Sequence, residues 1–318
     1  MKLILSTSNI MSGGLSVIRR PTFEKSNTEL TSSLHANFAS HQSIIPPSTP
    51  ANGASTPKPS YRSWTVQQDG ALWIPTHTSS PLTEPRESYD ITLKLFYLPN
   101  IPADRRCVQT REAIQLVLKE LGASSIDLLI VSFPGMSFDA DDDDSDLDDP
   151  PSAPDSEHDH DLHGTEGAPE DIDTIITTWR TLEKLHAEGL VSKLGIAEFG
   201  VSRLEKFLPQ IDVKPSVNQI NVRDCCVVPK PLILYAKQQN IELLTHNDCT
   251  NVLPRGTLRE ILGSGEKGVG ILAGENDSSG DELRGDVEPQ WVVKYTAVVK
   301  DRGVVESKGY FAVAELRD

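Results

Sequence analysis

Two adjacent cysteines are the first residues of this chain whose type and spacing could support chemistry. Cys225 and Cys226 lie just beyond a predicted strand over residues 217–222, at the end where parallel β/α folds carry their functional loops. A vicinal thiol pair could contact a partner or act as a redox-sensitive switch, and it could equally fill space at the rim of a core. The sequence leaves these interpretations open, because the exposure and pKa of the thiols decide between them.

A histidine and an aspartate follow the next predicted strand in the same way. The run His246, Asn247 and Asp248 ends a strand over residues 241–245, so these side chains are expected at the same face as the cysteines. A histidine beside a carboxylate can form an acid/base pair. No nucleophile or second base lies nearby in the sequence, which favours a structural hydrogen-bond network over catalysis.

Three further patterns are weak. The run GSGEKG at 263–268 matches G-x-G-x-x-G, but it follows a helix-like segment, so we interpret it as a loop. His158, His160 and His163 lie among carboxylates in a segment that would lose much entropy on binding a metal. The four cysteines show no C-x-x-C spacing, so neither a zinc site nor a disulfide framework is predicted.

Apolar runs alternate with helical patterns along the middle of the chain. This alternation predicts a parallel α/β fold, either a closed barrel or a doubly wound sheet. Residues 3–6 are a candidate first strand, and residues 291–299 look like a late helix. The other predicted strands cover residues 91–98, 126–132, 193–197, 217–222 and 241–245.

The acidic charge of the chain is concentrated in one segment. The formal net charge is −16, and 15 of the 46 acidic residues lie between residues 139 and 171, where there is no Lys or Arg. The remainder is close to neutral and offers no basic patch for nucleic acid or for a membrane surface. No apolar run reaches the length of a signal-peptide core or a membrane span. We therefore expect a cytoplasmic protein.

Three segments are expected to lie outside the core of a single domain that covers residues 1–318. Residues 35–60 are a low-complexity loop, residues 135–169 are an acidic disordered insert, and residues 263–288 are a Gly/Asp/Glu-rich loop. Each segment has too little large apolar surface to fold by itself.

We predict that deletion of residues 139–169 leaves folding intact, because this segment has almost nothing to bury and a short loop could replace it. Thermal melts of the deletion variant and the parent should agree within a few degrees. A large loss of melting temperature would mean that the insert packs against the domain.

Several motifs resemble the aldo-keto reductases, whose fold is a (β/α)8 TIM barrel. The segment IDLLIVSFP at 126–134 is similar to the reductase pattern V-D-L-x-x-I-H-W-P, GIAEF at 195–199 is similar to G-V-S-N-F, and VNQ at 217–219 is shared. This resemblance implies an NADPH-dependent carbonyl reductase ancestor. In that family a Tyr donates the proton, assisted by Lys, Asp and His, while Ser, Asn and Gln hold the nicotinamide.

The reductase residues are only partly present. Lys94 matches the catalytic Lys and Gln219 matches the nicotinamide-binding Gln, whereas Ser132 stands in place of the His. Ala197 and Glu198 replace the Ser-Asn pair, and no segment of the first ninety residues offers the Asp and the Tyr. Hydride transfer needs a proton donor and a cofactor held close to it. We therefore expect neither catalysis nor a bound cofactor, and treat Lys94 and Gln219 as remnants.

A more specific resemblance is to the modifier (regulatory) subunits of glutamate–cysteine ligase. It is carried by NQIN at 218–221, CCVVP at 225–229, LLTHND at 243–248 and RGVVESKGY at 302–310. The resemblance implies a non-catalytic protein of glutathione biosynthesis that forms a heterodimer with the catalytic subunit and activates it. Cys225, Cys226, His246 and Asn247 are then candidate partner contacts.

Two other functions stay open from the sequence. The first is an NADP-dependent aldo-keto reductase with a degenerate active site, and the second is a free-standing redox sensor that uses the two adjacent cysteines. Binding of NADPH, measured by quenching of protein fluorescence, distinguishes the first from a regulatory subunit.

Overall fold

One mixed sheet with helices on both faces organises the chain. A computed structural model describes residues 1–12, 26–45, 59–138, 169–221, 228–249, 251–274 and 281–317. The strands are β1 (Lys2–Ser6), β2 (Val66–Gln68), β3 (Ala71–Ile74), β4 (Tyr89–Tyr97), β5 (Ile126–Ser132), β6 (Val191–Ala197), β7 (Val217–Asn221), β8 (Glu242–His246), β9 (Asp286–Val299) and β10 (Val304–Arg317). The helices are α1 (Ser26–Ser43), α2 (Arg106–Leu121), α3 (Ile172–Ala187), α4 (Val201–Phe207), α5 (Lys230–Gln239) and α6 (Thr257–Leu262).

The strands run in the spatial order β2-β3-β1-β10-β9-β4-β5-β6-β7-β8. Strands β4 to β8 are parallel neighbours, each joined to the next through a crossover connection. Strands β9 and β10 form a long antiparallel hairpin between β4 and β1. The parallel α/β architecture predicted from the alternating pattern is therefore confirmed for the run from β4 to β8.

Two large apolar cores lie on opposite faces of this sheet, and a third, small cluster is formed by Ile130, Ala197 and Val217. On one face, helices α2 to α5 cover β4 to β7, with Trp179, Phe199 and Phe207 completely buried among them. On the other face, α1 and α6 cover the end of the sheet formed by β3, β1, β10 and β9. This second core holds Phe38 and Tyr310.

Helix ends follow the sequence signals in two of three cases. Gly122 caps α2 with φ 61°, as its position after the last apolar residue predicts. Asp171 caps α3, because its side chain accepts a hydrogen bond of 2.9 Å from the backbone N–H of Thr174. The pattern S-x-x-E at residues 202–205 predicts a capping box ahead of α4, but this prediction is wrong, since α4 already begins at Val201 behind Gly200 without a side-chain cap.

Three expectations about the elements need correction. Residues 291–299 form part of strand β9, not a late helix. The loop expected at 35–60 is helical as far as Ser43, because α1 buries Leu34 and Phe38 against the sheet. The last three residues of the loop expected at 263–288 belong to strand β9, which begins at Asp286.

The other expectations have mixed outcomes. The candidate first strand at 3–6 is confirmed as β1. The acidic insert falls, except for its first four residues and Pro169, outside the described residues. Among the described helices, none is both long and apolar enough to cross a membrane.

Candidate functional site

A buried ion pair between strand β4 and the end of strand β8 forms the centre of the candidate site. Lys94 lies on β4, and Asp248 follows the end of β8. The Lys94 Nζ is 2.7 Å from Asp248 Oδ2, and the two side chains are 5% and 6% exposed. Burial alone would raise the pKa of Asp248, but the ammonium groups of Lys94 and Lys294 outweigh it and hold this pKa well below the ordinary range. Burial also lowers the pKa of Lys94, against the opposing charge of Asp248.

His246 connects this ion pair to a second carboxylate. Its Nδ1 accepts a hydrogen bond of 3.0 Å from the backbone N–H of Asp248 and lies 3.4 Å from Lys94 Nζ. Its Nε2 lies 2.7 Å from Glu198 Oε1. The contact at Nε2 is close but does not have hydrogen-bond geometry. The imidazole therefore lies between the Lys94–Asp248 pair and the carboxylate of Glu198, and its orientation is fixed at Nδ1.

Glu198 joins the ends of several strands. It follows β6 in a left-handed backbone conformation (φ 67°) and is only 4% exposed. Its Oε2 accepts backbone N–H groups from Phe138, at 2.8 Å, and from Asn221, at 3.4 Å. A non-glycine residue in this conformation costs free energy, which these contacts and the one to His246 offset. The carboxylate is thus a structural junction between the chain after β5, the end of β7 and the end of β8.

A second lysine extends the charged network towards α1. Lys294 lies directly opposite Lys94 in the register between β4 and β9. Its Nζ is 3.4 Å from Asp248 Oδ1 and 3.8 Å from Glu29 of α1. Glu29 also accepts hydrogen bonds from Lys308 and from the hydroxyl of Tyr310. The carboxylate of Asp248 therefore bridges the two ammonium groups, of Lys94 and Lys294, that the strand register places side by side.

Several of the residues singled out from the sequence lie in or beside this network. Lys94 and His246 are brought together, while Asn247 follows His246 and is half-buried. His246 has a side chain only 9% exposed, so its imidazole points into the protein and offers little surface to a partner. Cys225 and Cys226 lie outside the described residues.

The other two reductase-like positions lie on neighbouring strands. Ser132 is 5% exposed at the end of β5, opposite Phe96 of β4. Gln219 lies on β7 opposite Ala197 of β6. These two residues occupy the same sheet as Lys94, but no contact joins them to the ion pair among the hydrogen bonds of the described residues.

Glu29 and Lys294 were missed by the sequence analysis. Glu29 lies in a helix that was not anticipated, and Lys294 lies in a strand that was interpreted as a helix. A single lysine within an otherwise apolar run was the available signal for Lys294, because a buried ammonium group requires a carboxylate partner.

The arrangement restricts what Lys94 can do chemically. Within the described part of the chain, its ammonium group bonds to Asp248 and His246 and lies 5.3 Å from the ring centre of Phe96. In the reductase pattern the lysine assists a tyrosine, but among the described residues no tyrosine hydroxyl is bonded to Lys94. No group of three or more His, Cys, Asp or Glu side chains suited to a metal ion occurs among the described residues.

This chain is similar in sequence to regulatory subunits of glutamate–cysteine ligase and in sequence and structure to aldo-keto reductases. It is 27% identical over 232 residues to the glutamate–cysteine ligase regulatory subunit of Mus musculus, covering 73% of this chain and 68% of the relative. It is 25% identical over 227 residues to the putative glutamate–cysteine ligase regulatory subunit of Schizosaccharomyces pombe, covering 71% of each. Among solved structures, it is similar to an aldo-keto reductase from a Medee basin deep-sea metagenome library (24% identity, 51% of this chain, 45% of that chain, TM-score 0.34).

The family itself is shown by a sequence model rather than by any one relative. The model of the aldo/keto reductase family matches residues 76–259, a stretch from just after β3 into α6 that contains Lys94, Glu198, His246 and Asp248. The fold class expected from the sequence, an α/β fold of the aldo-keto reductase type, agrees with this match. Because the matched stretch is more than half of the sequence, the chain belongs to the aldo/keto reductase family.

Proposed function

We propose that this chain is a non-catalytic regulatory subunit of glutamate–cysteine ligase, which binds the catalytic subunit and activates it. Two curated regulatory subunits, from a mammal and from a fission yeast, are similar to more than 70% of the chain. The proposal therefore places the chain in glutathione biosynthesis, as one half of a cytoplasmic heterodimer.

The proposal that the chain is not catalytic is supported by the contacts of Lys94. The residue that a reductase would use beside its proton donor is 5% exposed and ion-paired with Asp248 at 2.7 Å. Among the described residues no tyrosine hydroxyl is bonded to this ammonium group, so the proton donor that a reductase needs does not lie beside it there. Glu198 also places a carboxylate where the reductase pattern has the amide side chain of Asn. A buried carboxylate that contacts His246 does not suit the binding of the neutral nicotinamide carboxamide.

The partner surface is proposed to lie at the strand ends that carry Cys225, Cys226 and Asn247. His246 belongs to the same strand end, and its proposed part in the contact is indirect: it fixes the backbone that leads to Asn247. The cysteines contribute as contact residues or as thiols that respond to oxidation.

The expected result with purified glutamate–cysteine ligase catalytic subunit is co-elution on size exclusion and a lowered apparent KM for glutamate. A regulator acts through its differential affinity for two states of its partner, and such couplings correspond to changes of about 5- to 150-fold. The assay follows rate against glutamate concentration, with and without this chain, under reducing and non-reducing conditions. Unchanged glutamate curves and separate elution in both conditions would refute the proposal.

A matched set of cysteine variants separates a specific contact from a general thiol effect. Replacing both Cys225 and Cys226 by serine should weaken the complex if these residues lie at the contact. Cys107, an exposed cysteine at the start of α2, provides the control, and Cys107→Ser should leave both co-elution and glutamate dependence unchanged.

The alternative function is an NADP-dependent reductase with a rearranged site. The observation that favours it is the grouping of a lysine, a carboxylate and an imidazole at Lys94, Asp248 and His246, on strands of the matched family. Turnover of aldehydes with NADPH by the unmodified protein, lost in a folded Lys94→Met variant, would establish this alternative. We expect no turnover and no NADPH-dependent quenching of tryptophan fluorescence.

A further inference from the structure

Strand β8 is the outermost strand at one end of the described sheet. Among the described strands β7 is its one neighbour. The backbone N–H of Glu242 donates to Ser216 at the β7 side, and successive residues of a strand present their backbone groups to opposite sides. The N–H and C=O groups of Leu243 and Thr245 therefore point outwards from the sheet, and the side chain of Thr245 is exposed.

The helix beside this edge has apolar residues in solvent. Ile233 and Leu234, adjacent on α5, are 45% and 58% exposed. They account for two of the seven exposed large apolar side chains among the described residues, and the other five are scattered over other elements. Natural edge strands are usually protected by lysine, proline or a bulge, whereas β8 has the sequence ELLTH. An unprotected edge beside an exposed apolar pair is typical of an interaction surface.

The charges around this edge are arranged for a two-fold contact. Lys230 begins α5 and Glu242 begins β8, so they lie at opposite ends of the α5–β8 unit, and both are exposed. A second unit that runs antiparallel to the first brings the end with Lys230 beside the end with Glu242. Unlike charges then meet at both ends of the contact.

We propose that β8 and α5 form a two-fold contact with a second copy of this chain. Antiparallel pairing centred on Leu244 places Leu243 opposite Thr245 of the second copy, and these are the two residues whose backbone groups point outwards. Each such pair exchanges two backbone hydrogen bonds, and the exposed Ile233 and Leu234 of both copies cover one another beside the strands. The contact is isologous, as two-fold dimers require. This proposal is separate from the ligase function and concerns the chain in the absence of the ligase.

The test is the concentration dependence of molecular mass, measured by sedimentation equilibrium of the full chain alone. The parent should show a reversible monomer–dimer equilibrium. Leu234→Glu should weaken it at least tenfold, because each copy would place a charge in an apolar contact. Val108→Glu is the matched control, since Val108 is 71% exposed on α2, and it should leave the dissociation constant unchanged.

A backbone variant tests the strand pairing itself. Thr245→Pro removes the outward-facing N–H while leaving the bonds of Leu244 and His246 to β7 in place, so it should also weaken the dimer. Should this variant fail to fold, as judged by circular dichroism, Leu234→Glu still decides the question. A parent that is monomeric at every concentration, or equal effects of Leu234→Glu and Val108→Glu, would overturn the proposal. It would also fall if Leu234→Glu impaired ligase binding but left self-association unchanged, which would assign the edge to the ligase.

Discussion

Replacing Asp248 by asparagine is expected to lower the free energy of unfolding by about 3–5 kcal/mol, since removal of one partner leaves buried charge uncompensated. Asp248 holds Lys94 through one oxygen and Lys294 through the other. Those lysines lie opposite each other in the strand register, so the variant also exposes their mutual repulsion. Urea denaturation of both proteins, with equal slopes, measures the difference.

A control variant and a double variant test whether the lost stability comes from the buried ion pair. Asp90→Asn is the matched control, because Asp90 pairs with Lys300 at 3.7 Å while the side chains remain 62% and 41% exposed, and it should cost less than about 1 kcal/mol. Adding Lys94→Met to Asp248→Asn should recover part of the lost stability by removing the unpaired buried ammonium group. An equal cost for Asp248→Asn and Asp90→Asn would contradict the central role of the Lys94 ion pair.

The stability lost in Asp248→Asn is expected to depend on pH. The pKa of Asp248 is lower in the folded protein than in the unfolded chain, so its contribution to stability is present above the unfolded pKa of about 4. That contribution is lost as the pH falls towards the depressed folded pKa. The stability difference between the parent and Asp248→Asn should therefore be largest near neutral pH and shrink in acid.

Replacing Gly309 by alanine is expected to destabilise the protein by about 1–3 kcal/mol through overpacking of the β9–β10 pair. A Cβ at this position would lie 2.6 Å from the carbonyl oxygen of Ser8 and 2.5 Å from the hydroxyl of Tyr295. Neither neighbour moves freely, because Ser8 is backbone and Tyr295 is 1% exposed on β9. Thermal melts followed by circular dichroism measure the loss.

Gly265 provides the control for this substitution. A Cβ at Gly265 would meet nothing within 4 Å, so Gly265→Ala should change the melting temperature by no more than a degree or two. If Gly309→Ala melted at the temperature of the parent, the close approach of β10 to Tyr295 would not be present in solution.

The parallel part of the fold could be predicted because its signals are local. Strand β5 is a continuous apolar run, and helix α2 ends at the glycine that its pattern indicates. Strand β9 could not be recognised in the same way. Its segment at 291–299 alternates apolar and polar residues only over 293–297, and apolar runs at 291–293 and 297–299 flank this short stretch. Both faces of the sheet are covered there, and a short apolar run by itself fits a strand or a buried helix.

The candidate site was predictable only for the residues that lie on strands with local sequence signals. Lys94 lies within a recognisable strand, and His246 and Asp248 lie at the end of another, so their place in the parallel sheet could be inferred. Lys294 and Glu29 could not be placed at the site, because they reach it through antiparallel pairing and through a helix at the start of the chain. Glu29 contacts Lys308 across 279 positions of the chain, and such a contact depends on the whole topology rather than on local pattern.

The hairpin of β9 and β10 has a kinetic consequence. These strands follow all the others along the chain, yet they lie in the middle of the sheet, where β10 pairs with β1 and β9 pairs with β4. Before the hairpin docks, the strands β1–β3 and β4–β8 share no hydrogen-bonded neighbour. Closing such distant pairings is slow, because the loop entropy is lost before the contacts form. The chain therefore completes its sheet only after its last hairpin has docked, and until then two strand edges stay open to misassembly.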